Sequence, residues 1–117
     1  MYEQYLPHID MAEGISRVMN NAKLYLSLLG RFKLRPMTEA LLEAIAAGDH
    51  PAVAAAAHAL RGTGANLGFP TLCDLVGEIE QRAKVQQDAS THVTALTAML
   101  ETLEPLIARA IAEGSGN

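Results

Sequence analysis

Apolar residues recur at three- and four-residue spacing along nearly the whole chain, and no stretch alternates strictly enough to read as a β-strand. The pattern predicts helices from end to end. A short first helix starts at Asp10, where Glu13 three positions on makes a capping-box-like start, and carries Ile15, Val18 and Met19. A second runs from about Asn21 to Leu34, with Leu24, Tyr25, Leu28, Leu29 and Phe32 on one side. Pro36 interrupts it, because proline disfavours helical geometry in the residue before it. The next piece, Met37 to Ala47, carries Leu41, Leu42 and Ile45 and stops at Gly48. The pattern fits equally one helix kinked at Pro36 or two separate ones.

Asp49 is a natural N-cap for the following segment, with Pro51 in its first turn and Gly68 as its stop signal. Phe69-Pro70 opens a helix with the stripe Leu72, Leu75, Val76, Ile79 and Ala83. Gln86-Gln87-Asp88 makes the turn. Ser90 or Thr91 then caps a long last helix bearing Val93, Leu96, Leu100, Leu103, Ile107 and Ile111, with Pro105 inside it and expected to kink it. Short connections between such helices predict an all-α, antiparallel four-helix bundle, up-down-up-down, with a short extra N-terminal helix. The expectation is one domain over residues 1–117, with frayed ends at about 1–7 and 114–117.

Composition narrows the function classes. The 117 residues are half hydrophobic, enough to build one real core, and 19% charged, which argues against disorder. The net charge of −4 and nine scattered Lys and Arg argue against nucleic acid as a partner, since a phosphate backbone demands a basic stripe. The longest apolar run is Ala52 to Ala57, too short for a membrane span, and the start Met-Tyr-Glu-Gln-Tyr lacks the features of a signal peptide. The single Cys73 excludes an internal disulfide. A cytoplasmic setting is the expectation.

The informative helix is the one that breaks the amphipathic rule. From Pro51 to Leu67 the inward stripe is Val53, Ala56, Ala57, Leu60, Gly64 and Leu67. His58 points roughly 150° away from its centre, at about 100° per residue. Its outward neighbours are Ala54, Ala55, Gly62 and Ala65, with Arg61 to one side. A solvated face ordinarily carries Lys, Glu and Gln; this one is small, nearly uncharged, and bears one imidazole. Glycine inside a helix costs about 1 kcal/mol relative to alanine. Gly64 lies inward, where another helix can approach closely, but Gly62 lies outward, one turn after His58. Its presence is explained if a bulky group must reach the imidazole past that turn. Arg61, three residues on, is a permanent cation suited to an anion arriving at the ring. Against this, a lone helical histidine is ordinarily a surface residue, and an alanine run also fits a helix buried on both sides.

The stretch His58-Ala-Leu-Arg-Gly-Thr-Gly-Ala-Asn-Leu-Gly68 resembles the signature of histidine phosphotransfer (HPt) domains: a His, a Leu two on, Lys or Arg three on, Gly four on, then small residues to Leu-Gly. The resemblance extends through Leu72, Leu75 and Ile79-Glu80, and upstream through Ile9-Asp10, Gly14-Ile15 and Leu28 to Phe32. It implies a four-helix bundle in which His58 accepts a phosphoryl group from a receiver-domain aspartyl phosphate and relays it to another receiver aspartate. It also implies Arg61 as charge stabiliser, Gly62 as the residue that keeps access open, and Nε2 as the nitrogen used. Ala54, Ala55, Ala65 and Phe69 are the expected docking residues. Arg61 stands where lysine is commoner, which keeps the charge and changes the donor geometry.

A neutral imidazole, with an unperturbed pKa of about 6.5, needs no separate base to act as a nucleophile. The chain has no P-loop, no Gly-rich nucleotide loop and no acidic triplet for Mg²⁺. The reading is therefore a phosphocarrier with no kinase, ATPase or phosphatase activity and no cofactor or metal of its own, the Mg²⁺ belonging to the partner receiver. The expected partners are response-regulator receivers and a hybrid sensor histidine kinase, met by a monomer. The alternative is a non-catalytic helical adaptor that docks a partner through the same face. A metal-dependent bundle enzyme is disfavoured, since paired Glu-x-x-His motifs are absent. His8, His50 and His92 read as surface residues, Cys73 as a packed thiol, and Glu78 and Glu80 as neighbours facing apart, hence a poor acid/base pair.

Overall fold

The computed structural model describes residues 2–115, which form six α-helices, two 3₁₀ turns and, among the described residues, no strand. The helices are α1 (Met11–Ser16), α2 (Ala22–Gly30), α3 (Leu34–Ala47), α4 (His50–Leu67), α5 (Pro70–Lys84) and α6 (Val93–Ser115). The four long ones close a ring of contacts, α3 on α4, α4 on α5, α5 on α6 and α6 on α3. Two-residue connections at Gly48-Asp49 and Gly68-Phe69 make their neighbours antiparallel. This is the expected four-helix bundle. Leu41, Ala57, Leu60, Val76, Ile79, Leu96 and Leu103 lie wholly buried at its centre.

The N-terminal third departs from expectation. Two short helices, not one, precede the bundle: α2 ends at Gly30, and α3 begins at Leu34, two residues before Pro36. Proline therefore sits in the first turn of α3, where backbone N–H groups have no intrahelical acceptor to lose, rather than between helices. Helix α1 ends at Ser16. Met19 is thus not on a helical stripe but lies in a loop, in left-handed geometry and 93% exposed. A 3₁₀ turn at Glu3–Tyr5 buries Tyr5 in the core, where its hydroxyl meets the Glu113 carboxylate. At the other end α6 continues through Gly114 and Ser115. Residues 1, 116 and 117 of the expected frayed ends lie outside the described residues. The last helix is preceded by a 3₁₀ turn over Ser90–His92, so it begins at Val93, past the expected caps Ser90 and Thr91. Asp88 accepts from the Ser90 backbone N–H at 3.1 Å.

Helix α4 is held at both ends. At its start the Asp49 carboxylate accepts from Ala52 N–H at 3.1 Å, after Gly48 has turned the chain at φ 68°. At its end Gly68 takes φ 84°, a geometry that disfavours any side chain. The buried Tyr25 hydroxyl donates to the Leu67 carbonyl at 2.7 Å, and Asp10 N–H donates to the Gly68 carbonyl at 2.7 Å. These two bonds satisfy carbonyls that a helix terminus would otherwise leave open. Along the inward face Gly64 lets α5 come close: a Cβ there would lie 3.3 Å from Cys73 Sγ. The outcome is an α4 fixed at both ends, with α5 pressed against one flank.

Candidate functional site

His58 occupies the middle of α4 with its side chain 69% exposed. Ala55, Gly62 and Ala65 around it are exposed and Ala54 is half-buried, so the smooth face read from the sequence is real. A Cβ built on Gly62 meets nothing within 4 Å. Its missing side chain therefore serves no packing need inside this molecule. Phe69 is a correction. It is fully buried, its ring 5.3 Å from that of Phe32, because it fills the space beneath the α4–α5 turn. It packs beneath this surface and is not exposed on it.

The imidazole does not stand alone. Glu80, on α5, is buried to 3% side-chain exposure and its Oε2 lies 3.0 Å from His58 Nδ1. The other oxygen, Oε1, accepts from Arg61 Nε at 2.9 Å and from Arg61 Nη2 at 2.8 Å. Lys84, one turn further along α5, brings Nζ to 3.3 Å from Oε2. Burial pushes the Glu80 carboxyl up, but the hydrogen bonds from Arg61, His58 and Lys84 outweigh it and hold the group below the usual carboxylate range. Glu80 is therefore an anion at neutral pH and can only accept hydrogen bonds.

That assignment fixes the imidazole. To bond an ionised carboxylate, Nδ1 must carry the proton and donate it. The approach of Arg61 Nη2 to Nδ1 at 3.3 Å is then a contact between two donors, both drawn to the same carboxylate, and not a hydrogen bond. The neutral ring keeps its lone pair on Nε2, the nitrogen without a partner among the described residues. Such a site presents one oriented nucleophile to solvent.

Sequence reasoning singled out His58, Arg61 and Gly62 but gave Glu80 no role and did not single out Lys84. One signal was present: Glu80 follows Val76 by four positions and adjoins Ile79, so a glutamate falls on the edge of an apolar stripe. Its neighbour Glu78 faces away, 3.2 Å from His92 Nε2, so the two glutamates do point apart as expected. The other histidines are less exposed than surface residues: His8 Nδ1 lies 2.8 Å from Thr71 Oγ1, and the His92 side chain is largely buried. Cys73 is half-buried and burial pushes its thiol up, as befits a packed group. Among the described residues no three or more His, Cys, Asp or Glu side chains gather as a metal site.

Comparisons with known proteins bear on the fold and the family. A solved structure, the HPt domain of a sensor hybrid histidine kinase from Shewanella, superposes with a TM-score of 0.79 at 21% identity. The match covers 90% of this chain and 94% of that one, and it shows a shared fold. No curated protein matches the chain. The family model for the Hpt domain matches residues 33–105, more than half of the chain and all of the His58–Glu80–Lys84 cluster. The chain therefore belongs to the Hpt domain family, the phosphotransfer modules of two-component systems.

Proposed function

We propose that this protein is a phosphocarrier in which His58 Nε2 accepts a phosphoryl group from a receiver-domain aspartyl phosphate and passes it to a second receiver aspartate. The observation that carries the reading is the Nδ1–H bond to buried Glu80, which leaves an exposed Nε2 lone pair beside an open helix turn.

In the forward step that lone pair attacks phosphorus. The N–P bond forms, the aspartyl O–P bond breaks, and the aspartate leaves as a carboxylate holding the bonding pair. No proton moves, so no general base is required. The ring, now bearing both Nδ1–H and the Nε2–phosphoryl bond, gains positive character, and the Glu80 carboxylate at 3.0 Å is its counter-ion. Transfer onward reverses these bonds on a new carboxylate. Phosphoryl transfer rests largely on positioning and on charges already in place. Arg61 braces Glu80 and adds positive potential beside the incoming oxygens, while Gly62 leaves their path clear. Receiver domains and a hybrid sensor kinase are the partners, with Ala54, Ala55 and Ala65 on the docking face. The receiver supplies the carboxylate and the Mg²⁺, and this chain adds no kinase, ATPase or phosphatase step. Among the described residues no helix is long and apolar enough to cross a membrane. We read the carrier as a cytoplasmic monomer, because a second copy over α4 would cover His58.

Radiolabelled, phosphorylated receivers from the same genome, mixed with wild type and His58→Gln, test this. Label is expected only on wild type, lost in acid and stable in base, while both proteins still bind the receiver. Binding without labelling of wild type would make the face a docking surface, and the adaptor reading would replace the carrier.

A further inference from the structure

Glu80 has more positive partners than it needs. One buried carboxylate is balanced by one cation, yet Arg61 and Lys84 both contact it, together with His58 Nδ1. The cluster thus holds an excess positive charge next to a nucleophile that receives an anion. The two cations are held unequally. Arg61 grips Oε1 through two nitrogens, at 2.9 and 2.8 Å, and its stem packs beside Gly77, whose built Cβ would lie 3.6 Å from Arg61 Cδ. Lys84 makes one longer contact, at 3.3 Å, and its side chain is 53% exposed. It also shares Oε2 with His58 Nδ1, so its departure would strengthen the bond that orients the ring.

Position favours the same division of labour. Helices α4 and α5 run antiparallel, with Gly64 against Cys73, Arg61 against Gly77 and His58 against Glu80. One turn further in this register, Lys84 lies level with Ala54. Arg61 and Lys84 therefore flank the imidazole from opposite ends, and the α4 surface on the Lys84 side carries only methyl groups, at Ala54 and Ala55.

We propose that Lys84 is the mobile phosphoryl-binding cation of this site, leaving Glu80 for the phosphoryl oxygens on His58 Nε2 while Arg61 stays behind as the fixed partner of Glu80. This rests on the phosphocarrier reading and reassigns the principal anion contact away from Arg61. The charge on the phosphoryl group drives the exchange, and Arg61 prevents it from stranding a buried carboxylate.

The test uses the whole chain with phosphoramidate, a small donor whose N–P bond breaks as the Nε2–P bond forms and ammonia leaves. Wild type, Lys84→Met and Lys84→Arg are compared for phosphorylation rate, phosphohistidine lifetime and the ¹⁵N resonance of the lysine ammonium. Lys84→Met is expected to phosphorylate roughly threefold to tenfold more slowly at low salt, with the unfolding midpoint little changed, since Arg61 still pairs with the buried Glu80. Lys84→Arg is expected to recover most of the rate, and the wild-type Nζ resonance to shift on phosphorylation. A labelled wild type with Lys84→Met equally fast and an unmoved Nζ resonance would overturn the inference and leave the carrier reading standing. A wild type that takes no phosphoryl group from phosphoramidate or from any receiver would overturn both.

Discussion

Gly62 offers a test in which stability and function move in opposite directions. Its neighbours are absent: a Cβ at this position meets nothing within 4 Å. The φ of Gly62 is not in the left-handed region, so an L-residue fits its backbone without strain. Replacing an exposed helical glycine by alanine returns about 0.5–1 kcal/mol, partly by stiffening the unfolded chain. For a domain of this size that raises the melting temperature by roughly 2–6 °C. Glutamine, another good helix former, should retain part of the gain.

The functional effect has a separate geometric origin. Helical side chains lean toward the N-terminus, so a side chain at 62 lies over the turn that holds residue 58. A methyl group there narrows the approach, whereas the longer chain of Gly62→Gln extends across Nε2. Displacing a reacting group by about 1 Å already slows transfer by about a hundredfold. Gly62→Gln is therefore expected to unfold at higher urea than wild type yet accept phosphoryl at least about tenfold more slowly, with Gly62→Ala between them in rate. Paired urea titrations and single-turnover labelling provide both numbers. If Gly62→Gln is destabilised, or transfers as fast as wild type, the account of the outward face is wrong.

Three further outcomes follow from other contacts. Glu80→Gln keeps an acceptor for Nδ1–H but removes the charge that holds Arg61 and Lys84; a loss of about 1–3 kcal/mol in urea unfolding is expected, together with slower transfer and a mixed imidazole tautomer by ¹⁵N NMR. The pH dependence of that difference has a definite sign: because the folded Glu80 carboxyl is depressed, its contribution is fully present above about 4.5 and disappears as pH falls through the lower folded value, so wild type and Glu80→Gln should converge in stability in acid. Gly14→Ala would drive a methyl into the Tyr25 ring and to 2.7 Å from the Leu67 carbonyl, with about 1–3 kcal/mol of destabilisation expected by thermal unfolding; an unchanged melting temperature would show that the α1–α4 contact is not rigid.

What could be read from the sequence, and what could not, divides along one physical line. The boundaries of α4 and the start of α5 follow from local signals: Gly48 and Gly68 in left-handed geometry, Asp49 as a cap, and Pro51 and Pro70 in first turns. These depend on residues within one turn of each other. The α2–α3 boundary was misplaced because Pro36 suits the first turn of a helix as well as the end of one, and only packing decides between them. The buried Phe69 and the ordered start at Tyr5 depend on contacts with distant elements, Phe32 and Glu113. The site divides in the same way. His58, Arg61 and Gly62 share one helix and announce themselves by periodicity. Glu80 and Lys84 come from α5, and nothing local indicates that the antiparallel register brings their charges to the same imidazole.

The central claim is that phosphoryl is carried on one atom, Nε2 of His58. Protein labelled with ¹⁵N in its histidines, phosphorylated by a receiver aspartyl phosphate and observed by ¹⁵N and ³¹P NMR, tests residue, atom and transfer together. The account predicts a single phosphorus-coupled nitrogen, Nε2 of His58, with the proton still on Nδ1. Coupling at Nδ1, phosphorus on any other residue, or a protein that binds the receiver and stays unmodified would contradict it.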